Sequence, residues 1–220
     1  MEFMDVISGR KSIRKFRSDI VNCDVLESII KNALRAPSWG NTQPWEIAVL
    51  GPDLVKKIGD EFVQEFMSGT SPNPDLEMPE NWPYKYKKRY VDVGRSLFEV
   101  MKIQREDKEA RMEHYLNMFR FFYAPHAVYI YMDKAINPYY GVFDLGALTN
   151  NICLTAYENG VGTCILGAVA NYPDVVRKHL NISEDKNIVI GIALGYPDKE
   201  NPVYGFRSVR DEGVISWHGI

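Results

Sequence analysis

The chain has 220 residues, 45% of them hydrophobic and 25% charged, with a formal net charge of −3. That length and balance read as one ordinary globular domain over 1–220, and the acidic excess excludes nucleic acid as the main partner. The sequence shows no signal peptide and no apolar run of about 18 residues, so a cytoplasmic protein that spans no membrane is expected.

A short helix over 4–9 ends at Gly9. Asn22 or Asp24 caps a helix running to about Arg35, with Val25, Leu26, Ile29, Ile30, Ala33 and Leu34 on one face and Pro37 as its stop. Residues 45–50 read as a strand closed by Gly51 and Pro52, and Asp53 then caps a helix to about Met67. Pro72, Pro74, Pro79 and Pro83 interrupt regular structure over 69–84. Trp82, Tyr84, Tyr86 and Tyr90 suit a lid better than a disordered link, giving a lid-like excursion at about 69–90. Helices follow over 85–99 and 105–123, then a buried strand over 127–132. Residues 141–159 form the longest mainly apolar helical segment, which belongs in a core or an interface. A strand over 165–169, a helix over 173–180 and a buried strand over 188–194 complete the order before a polar tail with aromatic punctuation. Without strict βαβ alternation, the class is α+β: a small central sheet covered by helices.

Four motifs carry chemistry. Arg10, Ser12 and Arg14, with Lys11 between them, form a basic, hydroxyl-bearing cluster. Arginine forks bind phosphate oxygens bidentately, and such charge-assisted bonds contribute roughly 1.5–3 kcal/mol each when partly buried. Pro37-Ser38-Trp39-Gly40-Asn41 is a tight turn whose amides, hydroxyl and carboxamide match the edge of a planar ring such as flavin. Gly160-Val161-Gly162 leaves a helix, whereas the dinucleotide fingerprint enters one, so a Rossmann NAD site is disfavoured. The backbone onward to Ile165, Leu166 and Gly167 can still face a flavin. Arg207 and Arg210 offer further cations to a phosphate. Taken singly, each motif has a plainer reading: a solvated terminus, a connecting turn anchored by Trp39 and Trp45, a helix C-cap, and surface charges. Cys23, Cys153 and Cys164 fit neither a zinc site nor a CxxC pair, and four scattered histidines lack ligand spacing. No metal site is expected, and no acid/base constellation stands out as catalytic.

These motifs and their spacing resemble the nitroreductase family of FMN enzymes, in the branch related to 4-nitrobenzoate reductases. The likeness covers nearly the whole chain. It rests on Arg10-x-Ser12-x-Arg14-x-Phe16, on the run from Pro37 to Trp45 with its Trp39-Gly40-Asn41-Thr42 variant, and on Arg105-Glu106-Asp107. Asp144-x-Gly146-Ala147-x-x-Asn150 and Gly160-x-Gly162 add to it. The resemblance implies a mixed, mainly antiparallel sheet flanked by helices, and an intertwined homodimer with two FMN sites at its interface. It implies that Arg10, Lys11 and Ser12 hold phosphate and that Arg14 reaches the pyrimidine side. Pro37, Ser38, Trp39 and Asn41 would edge the ring, Ile165, Leu166 and Gly167 would lie against it, and Arg207 or Arg210 would add to the phosphate. NADH or NADPH would donate electrons. A nitroaromatic, quinone or similar small aromatic acceptor would then occupy the same slot, shaped by Trp39, Gly40, Trp82 and Tyr84. Many relatives have Pro-Ile-Glu-Gly or Pro-Ile-Gly-Gly where this chain has Ile165-Leu166-Gly167-Ala168, which implies a backbone-only contact. A specialised relative (reductive dehalogenation, flavin breakdown, azoline oxidation) and a non-catalytic FMN sensor stay open as alternatives.

Overall fold

A computed structural model describes residues 1–219. Among these residues seven α-helices pack on a four-stranded sheet of order β1-β2-β4-β3. The strands are β1 (Trp45–Leu50), β2 (His126–Asp133), β3 (Gly162–Leu166) and β4 (Lys186–Gly195). All three pairings are antiparallel. The mixed character expected of the sheet is confined, among the described residues, to one parallel bridge between Ser12 and Thr163.

Period-2 alternation divides the sheet residues between two apolar layers. Ala127 and Tyr129 face a layer shared with α3 (Pro52–Ser68), α5 (Lys108–Phe119) and α7 (Pro173–Leu180). Val128, Ile130 and Met132 face the other, built on α2 (Cys23–Ala33) and α6 (Pro138–Glu158). In β4 the register shifts opposite Ile130 and Tyr131, so Val189 and Ile190 both turn to the α6 layer while Ile188 joins the α3 layer. A one-residue bulge has this effect because it inverts the alternation beyond it.

Several boundaries differ from expectation for local reasons. Asn22, not Asp24, caps α2, its side chain accepting from the Asp24 amide at 2.7 Å. Gly51 rather than Asp53 is the N-cap of α3, because Pro52 at the first position is already set in helical φ. The helix of 105–123 shortens to α5, capped by Asp107. Phe121, Phe122 and Tyr123 leave it in a left-handed turn with φ of 53°, 53° and 60°. The strand expected over 165–169 is β3, which begins at Gly162; the chain turns into a 3-10 segment after Gly167. α6 starts at Pro138, capped by Asn137.

The loop between α3 and α4 (Tyr84–Val100) has two parts. Its first is pinned: Asn73 N–H donates to Asn171 at 2.9 Å. Asp75 accepts from Arg177 at 2.6 Å and from the Ile188 amide at 2.7 Å. Beyond it, the Met78 methyl lies beside Gly167. Among the described residues no helix is long and apolar enough to cross a membrane, and no three acids, histidines or cysteines cluster to hold a metal.

Candidate functional site

α1 (Phe3–Gly9) ends where the Tyr157 ring of α6 packs so closely that a Cβ at Gly9 would collide with it. The chain then runs extended beside β3, the Ile13 amide donating to Thr163 at 2.8 Å. Ile13 and Phe16 are buried and anchor this segment. Ser12 and Arg14, flanking Ile13, alternate to the other side of the strand-like run.

The tail approaches from the opposite side. Phe206 is buried with Val203 against Leu97 of α4, and the Arg14 guanidinium sits 5.5 Å from the Phe206 ring centre. Between the two segments lies a cavity of about 440 Å³. Arg10, Lys11, Ser12, Arg14, Arg207 and Arg210 line it with Ser8 and Ser208, and among the described residues no acidic side chain does. Five cations facing one space without a carboxylate strongly favour an anion there.

The five cations are not equivalent. Lys11 donates to the Tyr204 carbonyl and lies 3.4 Å from the centre of that ring. Burial, and then the Arg207 charge, push its ammonium below the ordinary lysine value. Arg207 donates to the carbonyls of Ser8 and Gly9. Both therefore spend donors on the main chain. Among the described residues Arg210 bonds within its own turn, at Ser208 and Val209, and Arg14 to the Ser12 carbonyl at 3.3 Å.

Arg14 also reaches behind the cavity. Burial first, and then Arg14 and Arg111, push the His114 imidazole down to about 4. The buried Cys164 thiol is pushed up to about 11 by burial, against the pull of Arg14. Sequence reasoning missed His114 and Asn117. They stand one turn apart on α5, and His114 Nδ1 and Asn117 Oδ1 are both buried without a partner. Two polar residues at i, i+3 among apolar neighbours were the available signal.

The turn at 37–41 lies elsewhere. The Trp39 amide donates to Asp144 at 3.1 Å, and the Trp39 ring meets Tyr140 edge-on at 4.8 Å. Ser38 turns its hydroxyl inward, accepting from the Gln43 amide at 2.9 Å. Gly40, Asn41 and Gln43 carry φ of 54°, 59° and 49°, conformations that only glycine adopts without strain. Asp144 and Tyr157 are both on α6, so the turn and the Arg10 segment stand about 20 Å apart along that helix, at 1.5 Å per residue. Within one chain the turn does not line the cation cavity, and neither do Trp82 and Tyr84. Ile165 is exposed on β3, Leu166 is buried, and Gly167 follows the strand.

An α+β fold with a cation-lined cavity where residues 8–14 meet residues 206–210 is the architecture of a protein with an anion-favouring site. The Nitroreductase family model matches residues 7–196, and the chain belongs to the nitroreductase family. It is 27% identical to a 4-nitrobenzoate reductase of Pseudomonas putida, over 96% of this chain and 92% of that protein. Its fold is similar to the FMN and NADPH-dependent nitroreductase NfnB from sphigopyxis sp. strain HMH, with a TM-score of 0.95 and 27% identity over the whole of both chains. It is also similar to the FMN-dependent NfnB of Mycobacterium smegmatis, solved in complex with NADPH, with a TM-score of 0.89 and 25% identity over 94% of this chain and 93% of that one.

Proposed function

We propose that this chain is an FMN-dependent oxidoreductase that takes electrons from NADH or NADPH and reduces nitroaromatics, quinones or similar acceptors. The observation that carries the reading is the acid-free cavity of five cations. It fits the FMN phosphate, whose charge of about −2 needs such partners. Bound FMN supplies two-electron chemistry, accepting electrons from the nicotinamide and passing them to the acceptor.

The chain's own residues supply position and charge. Arg10, Arg14 and Arg210 line the cavity with guanidinium donors, and Ser12 lines it beside them. Lys11 and Arg207 hold the two walls together. His114 stays neutral near pH 7, so it offers hydrogen bonds without adding charge beside Arg14. The 37–41 turn supplies ring-edge amides, and residues 165–167 a backbone surface. Residues 77–83 lie beyond the pinned strap and give the lid its outer part.

The separation of the turn from the cation cavity supports a site completed by a second copy. Each chain would give its cavity to one FMN and its turn to the other. Exposed Phe3, Met4 and Ile7 on α1, Phe143 on α6, and Ile215 and Trp217 in the tail are the surfaces such a homodimer would cover.

Purification with bound flavin, followed by bleaching of its absorbance by NAD(P)H and recovery on adding a nitroaromatic, tests the activity. Light scattering tests the assembly: a monomer at micromolar concentration that still holds FMN is incompatible with a shared site.

A further inference from the structure

Beside the phosphate cavity lies a second cleft of about 660 Å³ between α4 and the tail. The two share residues 206–210 as a common wall. Building on the proposed function, we propose that this cleft takes the 2′-phosphoadenosine end of the electron donor, with Arg89 reading the 2′-phosphate.

Three observations lead there. The first is surplus charge. Five cations line the neighbouring cavity, and one phosphate of about −2 leaves most of that charge uncompensated. Arg207 and Arg210 stand on the shared wall, so the surplus field extends into the cleft. The second is the lining. Val93, Phe206, Val209 and Val214 supply its apolar lining, with Val209 90% exposed in this chain. Ser96 and Ser208 line it as well, the Ser208 hydroxyl accepting from Arg210. That is the combination a purine carrying a phosphate requires. The third is the state of Arg89. It pairs with Asp211, an exposed carboxylate that also lies 3.9 Å from Lys85. Two cations thus share one acid, and exposed pairs of this kind are weak. A phosphate presents more acceptor oxygens to a guanidinium and displaces such a partner. The other acid in the cleft, Asp92, is compensated by Lys88 at 2.5 Å and Arg95 at 3.8 Å.

Tyr86 supports the same assignment. Its ring is 5.7 Å from the Arg89 guanidinium. Tyr86, Tyr90, Val93 and Leu97 form one stripe of α4 by helical spacing. The Val93 and Leu97 end is packed on the tail, while Tyr86 and Tyr90 are exposed. The stripe therefore extends the cleft with aromatic rings on which a base can stack.

The experiment compares kcat/KM for NADPH and NADH in the FMN-loaded wild type, Arg89→Gln and Asp211→Asn. It adds inhibition by adenosine 2′,5′-bisphosphate against adenosine 5′-monophosphate. The bisphosphate should compete with NADPH at least tenfold more tightly than the monophosphate. Arg89→Gln should lower the NADPH-to-NADH preference about tenfold or more. Asp211→Asn should raise it, because Arg89 loses its competitor. Equal preferences in all three proteins would overturn the assignment. So would a fall in Asp211→Asn that parallels Arg89→Gln, since that is what a purely structural tail pin predicts. Flavin absorbance and NADH turnover are read in the same samples. Their loss in the wild type would overturn the flavoenzyme reading itself, whereas normal NADH turnover with an unmoved preference removes only the adenosine site.

Discussion

Arg207 donates to the main-chain carbonyl of Ser8 at 2.6 Å, across 199 residues of sequence. The same guanidinium reaches Gly9 at 3.0 Å. The C-terminal tail is thereby clamped on the end of α1, where its carbonyls lack helical partners. A cation so engaged holds the cavity's shape, while Arg10, which is half-buried, and Arg210 keep donors for a ligand.

Phosphate binding should divide along this line. Arg10→Ala and Arg210→Ala should each weaken FMN affinity tenfold or more, Arg10 more strongly because it is less exposed; each decade is about 1.4 kcal/mol. Arg207→Gln should also lower the melting temperature of the flavin-free protein, which Arg210→Ala should leave nearly unchanged. Flavin titration and calorimetry on the three apoproteins measure both quantities. Full flavin content and unchanged affinity in Arg10→Ala would refute the phosphate assignment.

The strap under the lid makes a stability prediction. Arg177 and Asp75 are 10% and 9% exposed, and Asp75 also accepts the Ile188 amide. Removing one partner of a buried ion pair costs about 3–5 kcal/mol, because the other charge is left uncompensated. Arg177→Met should show a loss of that size in urea unfolding and faster proteolysis at 77–83. A change under about 1 kcal/mol would mean the strap is not held by this pair.

Acid should weaken the fold through two histidines. His126 Nε2 accepts from the Val21 amide at 3.2 Å while Nδ1 lies 3.2 Å from the Leu50 carbonyl, so the pair of contacts fixes the neutral tautomer. Burial lowers its pKa, partly opposed by the bond to Leu50. His114 is lowered further, to about 4. In the unfolded chain both titrate near about 6.5. Below that pH the unfolded state binds more protons, so stability falls with acid down to the folded-state values, at up to about 1.4 kcal/mol per pH unit for each histidine. Their contribution is fully present above about pH 6.5. Urea unfolding from pH 7.5 down to 4.5 should show the loss, and His114→Gln should flatten the slope. A slope identical to wild type would remove His114 from the account.

Much of this architecture is legible because it is written in local patterns. The apolar stripe from Leu26 to Ala33 and the Pro173 start of α7 are set by neighbours in sequence. The clustering of Arg10, Arg14, Arg207 and Arg210 was expected from charge that the rest of the surface does not require. What sequence could not reveal depends on distant backbone. Lys11 and Arg207 look like the other cations, yet their partners are the carbonyls of Tyr204, Ser8 and Gly9. The left-handed turn at Phe121–Tyr123 runs against the preference of aromatic residues for extended or helical backbone, and burial of Phe121 and Phe122 in the core holds it. Gly162 read as the end of a turn because its role, admitting Ile13 against β3, needs both segments in place. The 20 Å between the Trp39 turn and the cation cavity follows from α6, whose length was expected but whose neighbours were not.

Trp39 provides the test of chemistry. It is 66% exposed, held by its amide on Asp144 and its ring on Tyr140, and it carries no group that exchanges a proton at neutral pH. It should therefore shape the slot over the ring and leave electron transfer nearly intact. NAD(P)H-dependent nitroaromatic reduction should follow ping-pong kinetics, because donor and acceptor share that slot in turn. In Trp39→Ala, KM should change unevenly across acceptors of different size, since lost stacking of about 0.5–1.5 kcal/mol depends on ring overlap. Reduction of the bound flavin by the nicotinamide should stay within about tenfold, under ~1.4 kcal/mol of barrier. Stopped-flow reduction and initial-rate patterns measure the two halves separately. Intersecting lines would show that donor and acceptor bind together, against a single slot. Abolished flavin reduction in Trp39→Ala with FMN retained would show that the ring does more than bound the space, by placing the nicotinamide itself.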